Sequence, residues 1–497
     1  MFPLVVIASL VGLGLLVVYY VGGYLFQNRS LSDIPAASPW AALTRFWLVR
    51  EARFGRRYLT VDDAHKTHGD FVRIQPNHVS IANVNAINAI YGHGNGFLKR
   101  QDLYIPDFYD AFVAVSRGLF STRSRADHTR KRKIVAHTFS AKSVMQFEQY
   151  MHQNLNELLR QWDLICQKAP ANSKFARFDC LPWFAYLTFD TIGDLAFGSP
   201  FGMLKNGQDT IEYMDYPGGP SKYMHAVDAL SRRGEAFAVL GCLPFLKKIG
   251  HLLPDSFLRN GVRSGSQVAG IAIARVGERL ASTATKGTER VDILTRLMEG
   301  KDVKGQPLGR EELTAEALTQ LIAGSDTTSN TLTGIFYWLL KSPGVLAKLQ
   351  AEVDTVILSP SDEVAFQTVK NLPYLKACMN EGMRIHSTSA LGLPRVVPVD
   401  GPAIEICGDS IWGADSDQYR PELRQFLTDD QKKAFVPFGH GPRSCVGRNV
   451  AEMEVTLAMA TLVRRYDFEL YQETFETWEG FLRKGFCCEV GIRRRMT

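Results

Sequence analysis

No two cysteines in this chain stand at Cys-x-x-Cys spacing. The eight that occur (Cys166, Cys180, Cys242, Cys378, Cys407, Cys445, Cys487 and Cys488) form no framework. That excludes a zinc ribbon and a disulfide scaffold, and in a long chain it argues for a reducing compartment. No Gly/Ser linker, charge block or internal repeat divides the 497 residues, so one large domain is expected. Charge of either sign is scarce in excess: 57 basic against 51 acidic residues leave +6, which gives no ground for a nucleic-acid partner. Hydrophobic residues at 45% and charged residues at 22% suit an ordinary globular core.

Charged side chains are absent altogether from the first 28 residues, and Phe2 to Phe26 is a nearly continuous apolar run. Its length suffices for a bilayer, which needs about 20 apolar residues. A cleaved signal peptide would start basic and have a shorter apolar run. Residues 1–28 are therefore expected to be a transmembrane anchor. Arg29, Arg45, Arg50, Arg53, Arg56 and Arg57 follow, which places the remainder in the cytosol. Pro35 and Pro39 suggest a hinge and linker over 29–60, leaving 61–497 as the catalytic domain.

What the sequence does have is a glycine-punctuated loop, Phe438-Gly439-His440-Gly441-Pro442-Arg443-Ser444-Cys445-Val446-Gly447, leading into an apolar helical run from Arg448 to Arg465. Gly439 and Gly441 allow a tight fold, and Gly447 allows the next helix to approach closely. A thiol at a helix N-terminus is biased toward the thiolate, the metal-binding form. A buried small hydrophobe, a cysteine nucleophile needing a histidine, and a zinc site needing further ligands are the competing readings. A dinucleotide loop is disfavoured, because the third glycine is missing.

Elsewhere the pattern is mainly helical with a minor sheet. Phe71-Val72-Arg73-Ile74 and His78-Val79-Ser80-Ile81-Ala82 read as strands, and Ala126–Ala136, Ser143–Lys168, Leu181–Phe197, Ser264–Ala281 and Val291–Gly300 as helices. Glu311 to Ser342 lacks proline and is apolar nearly all round, so a long buried helix is expected. In its middle, Ala323-Gly324-Ser325-Asp326-Thr327-Thr328 puts an acid and hydroxyls where they are costly unless satisfied, and the Gly/Ser pair is expected to loosen the helix there. A threonine bonding back to the preceding turn is the bland alternative. Glu381 and Arg384 share a face of a helix over Leu375–Ile385. His128 and Arg132 share a face of Ala126–Ala136, while Arg130, Lys131 and Lys133 are expected to point outward.

Together, F-x-x-G-x-R-x-C-x-G, the Ala323–Thr328 hexapeptide and the intervening E-x-x-R resemble the cytochromes P-450, the haem-thiolate monooxygenases. The blocks Ser121–Ser143, Phe189–Leu204, Gly309–Thr331, Ile385–Pro398 and Gly441–Val455 narrow the resemblance to fungal benzoate 4-monooxygenases. It implies the cytochrome P-450 fold and haem b (iron protoporphyrin IX) ligated by Cys445 within the Phe438–Gly447 loop. His128, Arg132, Arg395 and Arg443 would hold the propionates. Asp326 and Thr327 would deliver protons, and Glu381 with Arg384 would lock the fold behind the haem. The implied reaction is para-hydroxylation of benzoate with O2 and NADPH-derived electrons from an NADPH–cytochrome P-450 reductase, at the endoplasmic-reticulum membrane. Arg130, Lys131, Lys133 and Arg448 would dock that reductase. Thr388, Ser389 and Tyr104, with Tyr109 and Arg117, are the candidate contacts for a small aromatic acid. Another small aromatic substrate is the alternative.

The sequence also departs from the family. A hairpin, a strand and a short helix are missing after Ser410, and the family's Pro-Glu-Arg reads Pro421-Glu422-Leu423, with Arg424 one place late. The arginine that joins Glu381 and Arg384 is accordingly expected to be absent. An inactive haem-binding product of the truncated sheet is a further reading.

Overall fold

The computed structural model describes Gly14 and residues 31–93, 107–170, 172–286, 292–302, 304–397 and 416–495. The expected membrane span, Tyr104 and the join after Ser410 lie outside the described residues. Among the described residues, no helix is long and apolar enough to cross a membrane.

The described chain is mainly helical with small antiparallel sheets. In order come α1 (Pro39–Leu43), α2 (Phe46–Arg53), α3 (Arg57–His68), the hairpin β1 (Phe71–Gln75) and β2 (His78–Ile81), and α4 (Val84–Tyr91). Then follow α5 (Arg125–Ala136), α6 (Glu148–Gln167), β3 (Ala176–Asp179), α7 (Leu181–Phe197), the pair β4 (Ile211–Tyr213) and β5 (Lys222–Met224), α8 (Ala226–Cys242) and α9 (Ser256–Lys286). The long α10 (Arg310–Leu340) precedes α11 (Pro343–Asp354), α12 (Pro373–Ile385) and α13 (Arg448–Arg465). The chain closes with β6 (Tyr466–Leu470), the hairpin β7 (Thr477–Glu479) and β8 (Arg483–Gly485), and β9 (Glu489–Arg494). In the three-stranded sheet β9 lies between β3 and β6, with Phe468 opposite Ile492.

The stretch expected as a hinge and linker is instead built into the domain. Leu48, Glu51 and Ala52 of α2 are buried, and the Ala37 N–H donates to the Arg73 carbonyl of β1 at 3.0 Å. Its arginines resemble membrane-flanking charges in sequence, yet Arg57 is buried and donates to Glu479 at 2.9 Å.

The core is the meeting of α6, α7, α10 and α13. Trp162 is fully buried against Phe184, Phe336 and Tyr466, at centroid distances of 5.8, 6.5 and 6.0 Å. Truncating so large a core side chain to alanine typically costs about 3–5 kcal/mol. At 31 residues, α10 runs for roughly 46 Å. Glu311 and Glu312 in its first turn complement the helix dipole, and Pro343 opens the next helix. The helix stays regular through Gly324-Ser325, so the expected loosening does not occur. A methyl at Gly324 would come within 2.7 Å of Ile192, so the glycine lets α7 lie close against α10.

Two expectations about basic residues are corrected. Lys131 is buried, pairing with Glu316 at 2.9 Å and Glu312 at 2.5 Å, and Arg130 reaches Glu312 at 2.6 Å. Both clamp α5 to the start of α10, because Glu312 in its first turn and Glu316 one turn on lie within their reach, and only Lys133 of the three is exposed. The arginine expected to be absent is present as Arg424. It donates to Glu381 at 3.0 Å, while Arg384 grips the same carboxylate through two bonds of 2.9 and 2.8 Å. The 3-10 turn over Pro421–Phe426 takes up the one-residue displacement.

Glu454 on α13 is fully enclosed beside Thr191 of α7, and burial pushes its carboxyl up to about 8. A carboxyl raised in the folded state favours folding fully only below its unfolded value near 4.3, and that contribution is lost as pH rises toward 8. Glu454→Gln is therefore expected to flatten stability against pH between about 4.5 and 8, where the wild type loses on the order of 1 kcal/mol per pH unit. Parallel denaturation midpoints for the two proteins across that window would refute this.

Candidate active site

Cys445 lies just ahead of α13 on a loop held by its own backbone. Gly439 N–H donates to the Val436 carbonyl (2.9 Å), Ser444 N–H to Gly441 (3.0 Å) and Cys445 N–H to Phe438 (2.8 Å). Gly439 and Gly441 have φ of +70° and +72°, the left-handed region that glycine adopts without strain. A methyl on Gly441 would fall 1.7 Å from the Tyr91 carbonyl oxygen, so the loop is pressed onto the end of α4. Gly447 differs from expectation: its φ is −83°, and a methyl there would meet only Cys445 Sγ and Phe139, both at 4.0 Å. Helix approach does not require glycine at 447, although any larger side chain would crowd the sulfur. Phe438 is half-buried, with the Arg448 guanidinium 5.4 Å from its ring.

The Cys445 side chain is exposed. Crowding by protein pushes its thiol above the usual range, against the opposite pulls of the Gly447 N–H, Arg132 and Arg448. The expected thiolate bias is thus present but outweighed in the protein alone; a bound metal deprotonates such a thiol outright.

Three arginines from separate segments converge on His128. From α5, Arg132 donates to the Ser444 carbonyl at 2.7 Å; Arg443 donates to the Phe120 and Thr122 carbonyls. Arg395 donates to the Tyr109 hydroxyl at 2.8 Å and lies 4.8 Å from the Tyr91 ring. All three act on His128, which is buried on α5; burial first, then Arg443, Arg132 and Arg395, push its imidazole down to about 3. His128 is therefore neutral at physiological pH and offers a ring N–H amid positive charge.

Along α10, Thr319, Ile322, Ala323, Asp326, Thr327 and Thr331 are not fully buried, although they lie among buried neighbours. Their spacing of three and four makes one stripe, and an exposed alanine in the middle of a core-crossing helix means that this stripe faces open space. Thr327 Oγ1 donates back to the Ala323 carbonyl at 2.8 Å. Asp326 Oδ1 pairs with Lys484 of β8 at 2.6 Å and accepts from Asn330 at 3.2 Å. The segment after α12 meets the same stripe: Thr388 Oγ1 lies 3.0 Å from Thr331 Oγ1. Ser389 is exposed, its carbonyl accepting from Ser387, and Arg117 is occupied by Asp110 at 2.7 Å. Tyr109 positions Arg395.

Arg233, which the sequence reading missed, is buried on α8 between the Phe237 and Phe112 rings. Its signal was available. Ala226, Ala229, Leu230, Arg233, Ala236, Phe237 and Leu240 fall at helical spacing, which puts a charge in the middle of an apolar stripe.

These residues fit haem: one open sulfur at a helix start, and a cluster of cations around a neutral histidine that suits two carboxylates. The mainly helical domain, the cysteine loop before a core helix and the Glu381–Arg384–Arg424 cluster define a haem-thiolate protein. The chain belongs to the cytochrome P-450 family, which it matches over residues 37–402 and 409–484, and this membership implies haem. Among its relatives, the benzoate 4-monooxygenase bphA of Aspergillus niger is 51% identical, over 97% of this chain and 96% of its own. A cytochrome P-450 monooxygenase, lcsI, of Purpureocillium lilacinum is 31% identical over 94% and 91%. The trichothecene C-4 hydroxylase of Trichoderma arundinaceum is 29% identical over 89% and 88%.

The Asp326–Lys484 pair separates structure from chemistry. Asp326→Asn leaves a largely buried ammonium unpaired and is expected to cost about 1–3 kcal/mol of stability as well as activity. Adding Lys484→Met should restore the denaturation midpoint without restoring activity. Recovery of both in the double variant would reduce Asp326 to a counter-ion.

Proposed function

We propose that this monooxygenase hydroxylates benzoate, or a close aromatic acid, at the para position, using O2 and electrons passed from NADPH by a cytochrome P-450 reductase. The observation that carries this reading is 51% identity over nearly the full length of both chains to a benzoate 4-monooxygenase. Haem held through Cys445 supplies the binding and reductive activation of dioxygen. Arg132, Arg395, Arg443 and neutral His128 answer its carboxylates. Glu381, gripped by Arg384 and Arg424, holds the segment that leads to the cysteine loop. That intact cluster favours a working enzyme over an inactive product.

Thr327 Oγ1 holds a proton that it can turn from the Ala323 carbonyl toward the open stripe, and the Asp326 carboxylate, next in sequence and paired with Lys484, can take up a proton from solvent and pass it on. The exposed Lys133 and Arg448, with Lys432 and Lys433, suit an acidic reductase face. The last three border a groove of about 610 Å³ beside Phe438 and His440. Attachment to the endoplasmic-reticulum membrane through the first 28 residues is part of the same proposal. Large exposed apolar side chains support it: Trp40 and Phe46 on α1 and α2, and Phe245 and Leu252 just after α8, to whose end Arg45 is bonded.

The reduced, carbon-monoxide-treated protein is expected to give the red-shifted thiolate band, and reconstitution with reductase, NADPH and benzoate to give 4-hydroxybenzoate. An assembled haem site with no product from benzoate would overturn the substrate. Thr327→Ala should keep the band and the denaturation midpoint but lower product formation about 100-fold, with reducing equivalents diverted to peroxide. Unchanged product per NADPH would sink the role given to Thr327.

A further inference from the structure

Arg233 has no ion pair and no side-chain hydrogen bond among the described residues, and its Nε is sealed from solvent without an acceptor. The guanidinium lies 4.7 Å from the Phe237 centroid and 5.9 Å from that of Phe112. The acid that acts on it is Asp326, already paired with Lys484 at 2.6 Å. Two cations thus share one carboxylate, an imbalance that a buried site sustains poorly. Burial brings Arg233 down to about 10. Lys247 nearby is brought to about 8, by burial and then by Arg233 itself, so positive charge is in excess here.

The surroundings are aromatic. Phe112 contacts Phe481 at 4.6 Å and Phe120 at 5.8 Å, and Phe120 contacts Phe481 at 5.6 Å. Phe120 and Phe481 are only half-buried. At its other end the same group of rings reaches the arginines around His128: the Phe120 carbonyl accepts from Arg443, and Tyr109, which holds Arg395, lies 5.3 Å from Phe120. A box of rings with a haem-side end and an unanswered guanidinium at the other suits a flat ring bearing one carboxylate.

We propose that Arg233 is the specificity-determining residue that binds the carboxylate of an aromatic acid, turning the opposite carbon of the ring toward the reaction centre. This rests on the aromatic-acid reading above. The hydroxyls of Thr388 and Thr331 satisfy each other at 3.0 Å, which leaves Arg233 as the better partner for an anion.

The test follows the spin-state shift of the haem-loaded protein with benzoate and with its neutral isostere benzamide. Arg233→Met is expected to weaken benzoate by about 10- to 150-fold, the range for a charged hydrogen bond. Benzamide should change less than about threefold on the same scale. The denaturation midpoint should hold or rise, since a buried unpaired charge is removed. Thr388→Val should move both ligands by one small factor. Equal losses for the two ligands in Arg233→Met, or no loss, would overturn the assignment. If Arg233→Met fails to take up haem, Arg233→Lys decides, because a lysine lacks the planar fork and should shrink the preference for benzoate over benzamide; an unchanged preference would overturn it. A wild type indifferent to benzoate would overturn the substrate reading itself.

Discussion

The carboxylate of Glu381 carries more of this structure than any comparable group. The chain between Ser416 and Gly447 contains only short turns and one helix of six residues, and no strand pairing organises it. Its tie to the core is electrostatic: Arg384 and Arg424 share Glu381, the Arg420 N–H donates to it at 3.1 Å, and Arg384 also donates to the Ser416 and Gln418 carbonyls. Glu381 is buried, so removing its carboxylate strands the two arginines that share it in a poorly solvated place, which typically costs about 3–5 kcal/mol. The position of Cys445 descends from this cluster, with Arg132 fastening the far end of the loop through Ser444.

The second constraint is an excess of positive charge inside a mainly apolar protein. Around His128 and again around Arg233, several cations are gathered. The protein tolerates the first cluster partly by handing its arginines to backbone carbonyls, and the second by laying the guanidinium on aromatic faces. Such groups are poor investments for stability and good ones for binding anions. Lys131 shows the opposite arrangement, an ammonium fully answered by Glu312 and Glu316 and serving only to join two helices.

Much of this was legible in the residues. Helices α7 and α13 run as their apolar runs predict, and α10 within two residues, because proline and glycine punctuate them where packing also ends. The first three helices were not, since their arginines mimic the flank of a membrane span, and only the fold reveals that Arg57 meets Glu479. A motif read at fixed spacing loses Arg424, whereas a flexible side chain on a 3-10 turn recovers the contact from one position away. Outward-facing lysines were inferred from a run of charge, but a helix turns each residue by about 100°, so neighbours in a run need not share a fate. Pocket residues were the least legible, because three hydroxyls in a row attract notice while a lone arginine within an alanine-rich stripe does not.

Lys484 has a consequence for biosynthesis. Asp326, in the helix that crosses the core, receives its counter-charge from a hairpin made long after it, and β3 has no strand beside it until β9 arrives between it and β6. A ribosome therefore releases nearly the whole domain before α10 gains its Lys484 pair or the three-stranded sheet can close. Contacts so distant in sequence are slow to form. Until then the nascent chain carries an open sheet edge, the kind of surface that chaperones hold.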